Sequence, residues 1–172
     1  MKKTRALSVS IIAAIIAVVV LVLAAGGNAT KTRSSGATVS VRQTALGRIL
    51  VGTTGRTLYL FRADRPNVSK LSRAGFAAWP AFVTTGTVQA TGGASASKIT
   101  TIASLGGKHQ LTYGGHPLYY FVGDQRSGST SGQGLFEFGA KWYVVSPSGK
   151  AVTSAPAPAT TTPESSGGGY SY

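Results

Sequence analysis

Short runs of alternating apolar and polar residues, separated by glycine-containing turns, dominate the chain after residue 37. This period-two pattern predicts β-strands, and the glycines between the runs predict tight turns. One helical turn is predicted at residues 72–78, and no long amphipathic helix is visible. The predicted strands are residues 38–44, 48–51, 57–61, 99–103, 109–113, 118–122, 135–138, 141–146 and 151–152.

The N-terminus has a different pattern. Lys2, Lys3 and Arg5 precede an apolar run at residues 6–25 that only two serines interrupt. A basic head followed by an apolar run is typical of an export signal, and this run also approaches the roughly 20 residues that span a bilayer. The segment is therefore either cleaved or kept as a membrane anchor, and in both cases the positive-inside rule places the rest of the chain outside.

These patterns divide the chain into four parts. Residues 1–25 are the signal peptide or membrane anchor, and the small, polar and basic residues 26–37 form a linker. Residues 38–153 form the β domain. Residues 154–172 are a low-complexity tail with too few apolar residues to favour folding, so we predict that the tail is disordered.

An internal repeat appears when the chain is compared with itself at an offset of 60 residues. The shared pattern is G-x-x-L-Y-x-F-x-x-D, within repeats at about 45–82 and 105–146. The glycine predicts a hairpin turn with positive φ, and the Tyr and Phe, two residues apart, share one face of a strand while Leu lies on the other. The matching pairs are Gly55 and Gly115, Leu58 and Leu118, Tyr59 and Tyr119, Phe61 and Phe121, and Asp64 and Asp124.

The whole chain contains only four acidic residues, and two of them are aspartates at equivalent positions of the repeat. Asp64 and Asp124 fall just past the predicted strand ends, where a carboxylate can accept backbone N–H bonds from the next turn or pair with an Arg. The structural hypothesis is that these residues hold turns and that the repeat aromatics, with Trp79 and Trp142, fill a core. The alternative is that Tyr59, Phe61, Tyr119 and Phe121 form a binding site with the two aspartates.

The net charge of +13, from 17 basic and 4 acidic residues, bears on which partners the protein could bind. A basic domain outside the membrane suggests anionic lipid headgroups or cell-wall polymers, although a general gain in solubility is the simpler explanation. Nucleic acid is disfavoured by the compartment and by the lack of a reading helix. The chain has no cysteine, which excludes disulfides, thiolate metal sites and a cysteine lipid anchor.

Catalytic and metal chemistry finds little support in the sequence. His109 and His116, the two histidines, are separated by extended chain, so we expect no shared metal site. No G-x-S-x-G elbow or phosphate-binding loop is present, and we expect no cofactor. A hydrolase that uses Asp64 and Asp124 as paired carboxylates is the one enzyme hypothesis left open.

The motifs Tyr59 to Asp64 and Tyr119 to Asp124 resemble a bacterial family of secreted or lipoprotein repeats named for Tyr-x-(Phe/Trp/Tyr)-x-x-Asp. The resemblance extends over roughly residues 45–152 and implies a secreted location and a repeat fold, with no catalytic residues. Many members carry a cysteine pair where this chain has Leu71 and Gly75, and many carry a lipidated cysteine that this chain lacks. Redox, haem or metal roles suspected for such relatives are therefore not implied here.

Together these observations predict a mainly β fold: two pseudo-symmetric antiparallel β-meander repeats sharing one core, with an N-terminal hydrophobic signal or anchor helix. The predicted function is a non-catalytic extracytoplasmic envelope protein that binds or spaces at the cell surface through its basic domain. The alternatives are a small-ligand or cofactor-binding domain that uses the paired Tyr, Phe and Asp motifs, and the hydrolase.

Overall fold

A computed structural model of the chain describes residues 36–153. The predicted signal or anchor at residues 1–25, most of the predicted linker and the predicted tail at residues 154–172 lie outside this described range. Within it, the structure is mainly β, as predicted, and its helices are three short 3-10 turns. No helix of this range combines the length and the apolar character that crossing a bilayer requires.

The described range contains ten short strands. They are β1 (Ala37–Thr44), β2 (Gly47–Val51), β3 (Tyr59–Phe61), β4 (Val83–Thr84), β5 (Val88–Ala90), β6 (Ile99–Ala103), β7 (His109–Tyr113), β8 (His116–Pro117), β9 (Phe136–Glu137) and β10 (Ala140–Val144). The 3-10 helices are Arg73–Ala77, Ala96–Lys98 and Leu105–Gly107. The first of these lies within the helical turn predicted at residues 72–78.

The strands pair into three sheets, with orders β2-β1-β5, β3-β10-β9 and β4-β7-β6, and β8 pairs with β7. The pairing is antiparallel except between β1 and β5, which run parallel with Ala37 opposite Val88. This parallel pair departs from the predicted antiparallel meanders. It arises because β5 returns to the open edge of β1 after a long excursion of the chain, whereas a hairpin neighbour would be antiparallel.

The turn glycines of the repeat behave as the sequence predicts. Gly55 and Gly115 have φ of 75° and 85°, in the left-handed region that glycine reaches without a steric penalty. Gly115 closes the hairpin between β7 and β8, in which Tyr113 pairs with His116. His116 is therefore the first residue of a short strand.

Buried apolar residues form two clusters on opposite faces of the repeat strands, where the sequence predicted one shared core. The leucines Leu58, Leu60 and Leu118 belong to the first cluster. Tyr59 and Phe61 belong to the second, which we call the aromatic core. The predicted separation of Leu from Tyr and Phe is confirmed, and both faces are buried because other strands cover each of them. The aromatic core contains Ile49, Val51, Tyr59, Phe61, Leu71, Trp79, Tyr119, Trp142 and Val144, with Phe121 packed against it.

The strand predicted at residues 118–122 does not form a continuous ladder. Tyr119 makes isolated bridges to Tyr59 and Ala81, and the next backbone N–H groups bond to the loop that precedes β4. Tyr120 donates to the Pro80 carbonyl at 2.9 Å, and Val122 donates to the Ala78 carbonyl at 3.0 Å. Since Pro80 has no N–H to return, this pairing cannot continue as a regular strand.

Candidate functional site

The two repeat motifs meet directly at their tyrosines. Tyr59 and Tyr119 form an antiparallel bridge in which the Tyr59 N–H donates to the Tyr119 carbonyl at 2.9 Å and the Tyr119 N–H donates back at 3.0 Å. Both side chains are fully buried in the aromatic core. Because the two strands run in opposite directions, each tyrosine ring extends toward the end of the other motif.

Asp64 and its partners form one end of the site, which we call the Asp64 end. Its Oδ1 accepts the backbone N–H of Lys70 at 2.7 Å, and its Oδ2 accepts the Tyr119 hydroxyl at 2.9 Å. The Ser69 Oγ lies 2.7 Å from the same Tyr119 hydroxyl oxygen. A phenol has a single proton, so when Tyr119 donates to Asp64, Ser69 must donate to Tyr119.

Asp124 and its partners form the other end, which we call the Asp124 end. Its Oδ2 accepts the Tyr59 hydroxyl at 2.7 Å, and its Oδ1 accepts the backbone N–H of Ser131 at 2.8 Å. The Gly132 N–H reaches the Tyr59 hydroxyl oxygen at 3.3 Å. Each tyrosine therefore binds the aspartate of the other motif, and each carboxylate also accepts an N–H from the turn that follows it, which is one of the two arrangements that the sequence left open.

Burial changes the acidity of these groups. Desolvation, and then the adjacent Asp124 carboxylate, raise the pKa of Tyr59, and desolvation followed by Asp64 raises the pKa of Tyr119. Both phenols therefore remain protonated donors. Desolvation also raises the pKa of Asp64 to about 6, although its bonds from the Lys70 N–H and from Tyr119 act in the opposite direction.

Four packed aromatic rings lie between the two ends. Trp79 and Trp142 stack at 3.8 Å between centroids, Phe61 stacks on Trp142 at 4.4 Å, and Phe121 lies tilted against Trp79 at 4.4 Å. Tyr59 meets Trp79 edge-on at 5.3 Å, and Tyr119 meets Trp142 edge-on at 5.2 Å. Each favourable ring pair adds about 0.5–1.5 kcal/mol beyond its burial. The six motif residues and the two tryptophans singled out in the sequence thus form one connected network, with the two aspartates at its two ends.

Glu137, which the sequence analysis missed, completes this stack. Its Oε2 accepts the Trp79 indole N–H at 2.6 Å, and its backbone carbonyl accepts the Trp142 indole N–H at 3.2 Å. A buried indole N–H needs an acceptor, and one residue supplies both. The signal was present in the sequence, since Glu137 is one of only four acids in the chain.

An open cleft of about 330 Å³ adjoins the Asp64 end through Ser69. Leu71 forms part of its wall and fills the space above Gly75, where a Cβ would clash with the Leu71 Cδ1. Positions 71 and 75, where the resemblance places the cysteine pair of many members, are therefore neighbours here, with a leucine packed on a glycine. The cleft is lined by Ser69, Leu71, Arg73, Phe76, Ala103, Ser104 and Gln110.

The histidines occupy separate settings. His109 begins β7 and is exposed, whereas His116 is half-buried and its pKa is lowered by burial and, less strongly, by Arg62. Within residues 36–153, no group of three His, Asp or Glu side chains is placed to hold a metal ion.

Charge is distributed unevenly between the surface and the site. Residues 36–153 contain 12 Lys and Arg but only three acids, a formal net charge of +9. The three acidic side chains are Asp64, Asp124 and Glu137, and each accepts hydrogen bonds from neutral donors inside the fold. The internal structure therefore uses the acids of the domain and leaves its surface strongly basic.

The comparisons with known proteins agree with the sequence analysis. Residues 100–146 match the model of a lipoprotein family described as a secreted repeat of unknown function. This match spans the whole predicted second repeat and confirms the predicted resemblance there, and it implies an extracytoplasmic location. No curated protein and no solved structure matches the chain.

Proposed function

We propose that this chain, whose residues 100–146 are a secreted repeat of unknown function, is a non-catalytic envelope protein that binds anionic polymers or headgroups at the cell surface. The observation that carries the proposal is the separation of charge described above. All three acids are bonded to neutral donors of the domain, so the 12 basic residues of the described range, 10 of them exposed, have no matching carboxylates. Such a surface attracts polyanions over about a Debye length.

The hydrogen bonds at both ends of the site support a structural role for the motif aspartates. Each carboxylate already uses both oxygens, one for a turn N–H and one for a tyrosine. A nucleophile or general base needs an oxygen directed at its substrate. The reciprocal bonds instead tie the two motifs together, and we propose that an approximate two-fold axis passes between Tyr59 and Tyr119.

The direct test measures binding of the full chain, held in nonionic micelles, to fluorescently labelled poly(glycerol phosphate) by anisotropy. We expect binding at 0.05 M NaCl and a loss of about tenfold or more in affinity by 0.5 M, because the screening length falls from about 14 Å to about 4 Å. Uncharged dextran with the same label is the control and should not bind.

Charge variants make this test specific. Replacing the exposed Arg42 and Arg48 with Gln should weaken binding and reduce its salt dependence. The matched neutral control replaces the exposed Thr91 and Thr101 with Gln and should bind like the parent chain. Absence of binding at 0.05 M NaCl, or binding that salt does not change, contradicts the proposal.

The cleft at the Asp64 end favours a second candidate, a small-ligand site. Arg73 and Gln110 line this cleft beside the Ser69 that contacts the motif tyrosine. Native mass spectrometry of chain purified from its own envelope should then show a bound small molecule, and Leu71→Trp should remove it by filling the cleft. A spectrum without any adduct eliminates this candidate.

A further inference from the structure

The hairpin formed by β9 and β10 exposes two aromatic side chains at its tip. Glu137 pairs with Ala140 and Phe136 pairs with Lys141, so Phe138 and Gly139 form the two-residue turn. Phe136 is 68% exposed and Phe138 is 45% exposed, which makes Phe136 the most exposed large apolar residue of the described range. Other phenylalanines of the same domain pack against a hydrophobic cluster.

Phe138 also adopts a backbone conformation that suits it poorly. Its φ is 54°, and that of Gly139 is 89°. A two-residue hairpin turn with positive φ at both positions strongly prefers Asn-Gly or Asp-Gly, because a bulky side chain crowds the backbone there. Because 45% of Phe138 stays exposed, burial within the single chain gives only a partial reason for an aromatic residue at the tip.

The charges around the tip have one sign. Glu137 lies between the two phenylalanines in sequence, but its carboxylate turns inward to the Trp79 indole. Lys141 is exposed opposite Phe136, and the exposed Arg62 is held beside it by a bond from its N–H to the Lys141 carbonyl at 3.0 Å. The tip therefore presents two aromatic rings flanked by two cations.

We propose that this hairpin tip inserts into the interfacial region of an anionic bilayer, with Phe136 and Phe138 among the headgroups and Lys141 and Arg62 on lipid phosphates. The inference rests on the proposed anionic surface binding and names its partner. Aromatic side chains favour the membrane interface, and basic side chains strengthen attachment to anionic lipid. A wall polymer offers phosphates but no apolar layer for the rings, so the bilayer matches both features of the tip.

The test uses the absence of native cysteine, which lets a single introduced cysteine carry an environment-sensitive fluorophore. Phe136→Cys and Phe138→Cys are labelled separately in the full chain and reconstituted into vesicles of equal phosphatidylcholine and phosphatidylglycerol. The control site is Val68→Cys, since Val68 is apolar and 45% exposed, like Phe138, but lies in a different turn.

We expect a blue-shifted emission and quenching by lipids brominated near the headgroup for both tip labels, and neither effect at Val68. Phosphatidylcholine vesicles, or the added changes Arg62→Gln and Lys141→Gln, should reduce the shift at the tip. Tip labels that remain as water-exposed as the Val68 label overturn the proposal, and so does an equal shift in neutral and anionic vesicles.

The polymer experiment separates this inference from the proposed function. The variant Phe136→Ser with Phe138→Asn should bind poly(glycerol phosphate) within about twofold of the parent chain, because it retains every cation. Salt-sensitive polymer binding together with tip labels in water overturns the hairpin inference alone. If the parent chain shows neither salt-sensitive polymer binding nor insertion of the tip labels into the bilayer, the proposed function is overturned as well.

Discussion

The Asp64 end and the Asp124 end make the same bonds in different surroundings. At each end a carboxylate accepts a tyrosine hydroxyl from the other motif and an N–H from the following turn. Asp124 is only 4% exposed, whereas Asp64 is half-buried and its tyrosine borders an open cleft through Ser69. The motif thus determines the bonding pattern, and the segment that follows each aspartate determines how far water reaches it.

The aromatic stack gives the largest expected effect and tests whether the two ends are equivalent. Trp79→Ala and Trp142→Ala should each lower the free energy of unfolding by about 3–5 kcal/mol, because each removes a fully buried stacked ring. Urea unfolding followed by far-UV circular dichroism measures both. Phe136→Ala, at an exposed position, is the control and should change stability little. If either tryptophan variant is as stable as the parent, the Asp64 end and the Asp124 end do not depend equally on these rings.

The tyrosine hydroxyls should show the difference between the ends. Tyr59→Phe leaves the Oδ2 of the buried Asp124 without a donor and should cost about 1.5–3 kcal/mol, whereas Tyr119→Phe should cost about 0.5–1.5 kcal/mol since water can reach Asp64. The same urea measurement compares them. A double-mutant cycle of Tyr59→Phe with Asp124→Asn isolates the bond itself, and a larger cost for Tyr119→Phe would reverse our ranking of the two ends.

The raised pKa of Asp64 predicts a pH dependence of stability. A carboxyl group that titrates near 6 in the fold and near 3.8 when unfolded binds its proton more tightly in the folded state. Its contribution is therefore complete below about pH 3.8 and is lost as pH rises toward 6, so stability should fall across this window. This fall in stability should be absent from Asp64→Asn, as followed by urea unfolding at a series of pH values.

His116 provides a control for this titration. Its lowered pKa gives the opposite sign, since the unfolded state binds the proton more tightly and stability then rises with pH. His116→Asn removes this rise, so the fall in stability with pH that Asp64 causes should become steeper. Direct observation of the Asp64 carboxyl by ¹³C NMR should show a midpoint near 6, and a midpoint below about 4.5 would exclude this explanation.

Ser69 gives the smallest expected effect and affects the Asp64 end alone. Ser69→Ala removes the hydroxyl that contacts Tyr119 and should cost about 0.5–1 kcal/mol, because the site is half-exposed. The same substitution combined with Tyr119→Phe should cost nothing further, since the partner hydroxyl is already gone. An undiminished cost in that background would show that Ser69 acts through another contact.

Local pattern was sufficient to predict many features of this chain. The alternation in β1, the strands at Ile99–Ala103 and His109–Tyr113, and the positive φ of Gly55 and Gly115 follow from side-chain period and turn stereochemistry. The assignment of Tyr and Phe to one face and Leu to the other follows from the strand geometry of the motif. The charge excess and the family resemblance also required only the sequence.

Long-range contacts decided the rest. The chain pattern alone does not predict that Tyr59 binds Asp124 and Tyr119 binds Asp64, since these partners are distant in the chain. Nor does it predict that Glu137 accepts bonds from both tryptophans. The interrupted strand at residues 118–122 depended on Pro80, which lies far from it in sequence. Local pattern determines which face of a strand is apolar, whereas only the packing of distant segments determines which polar groups meet there and how much water they retain.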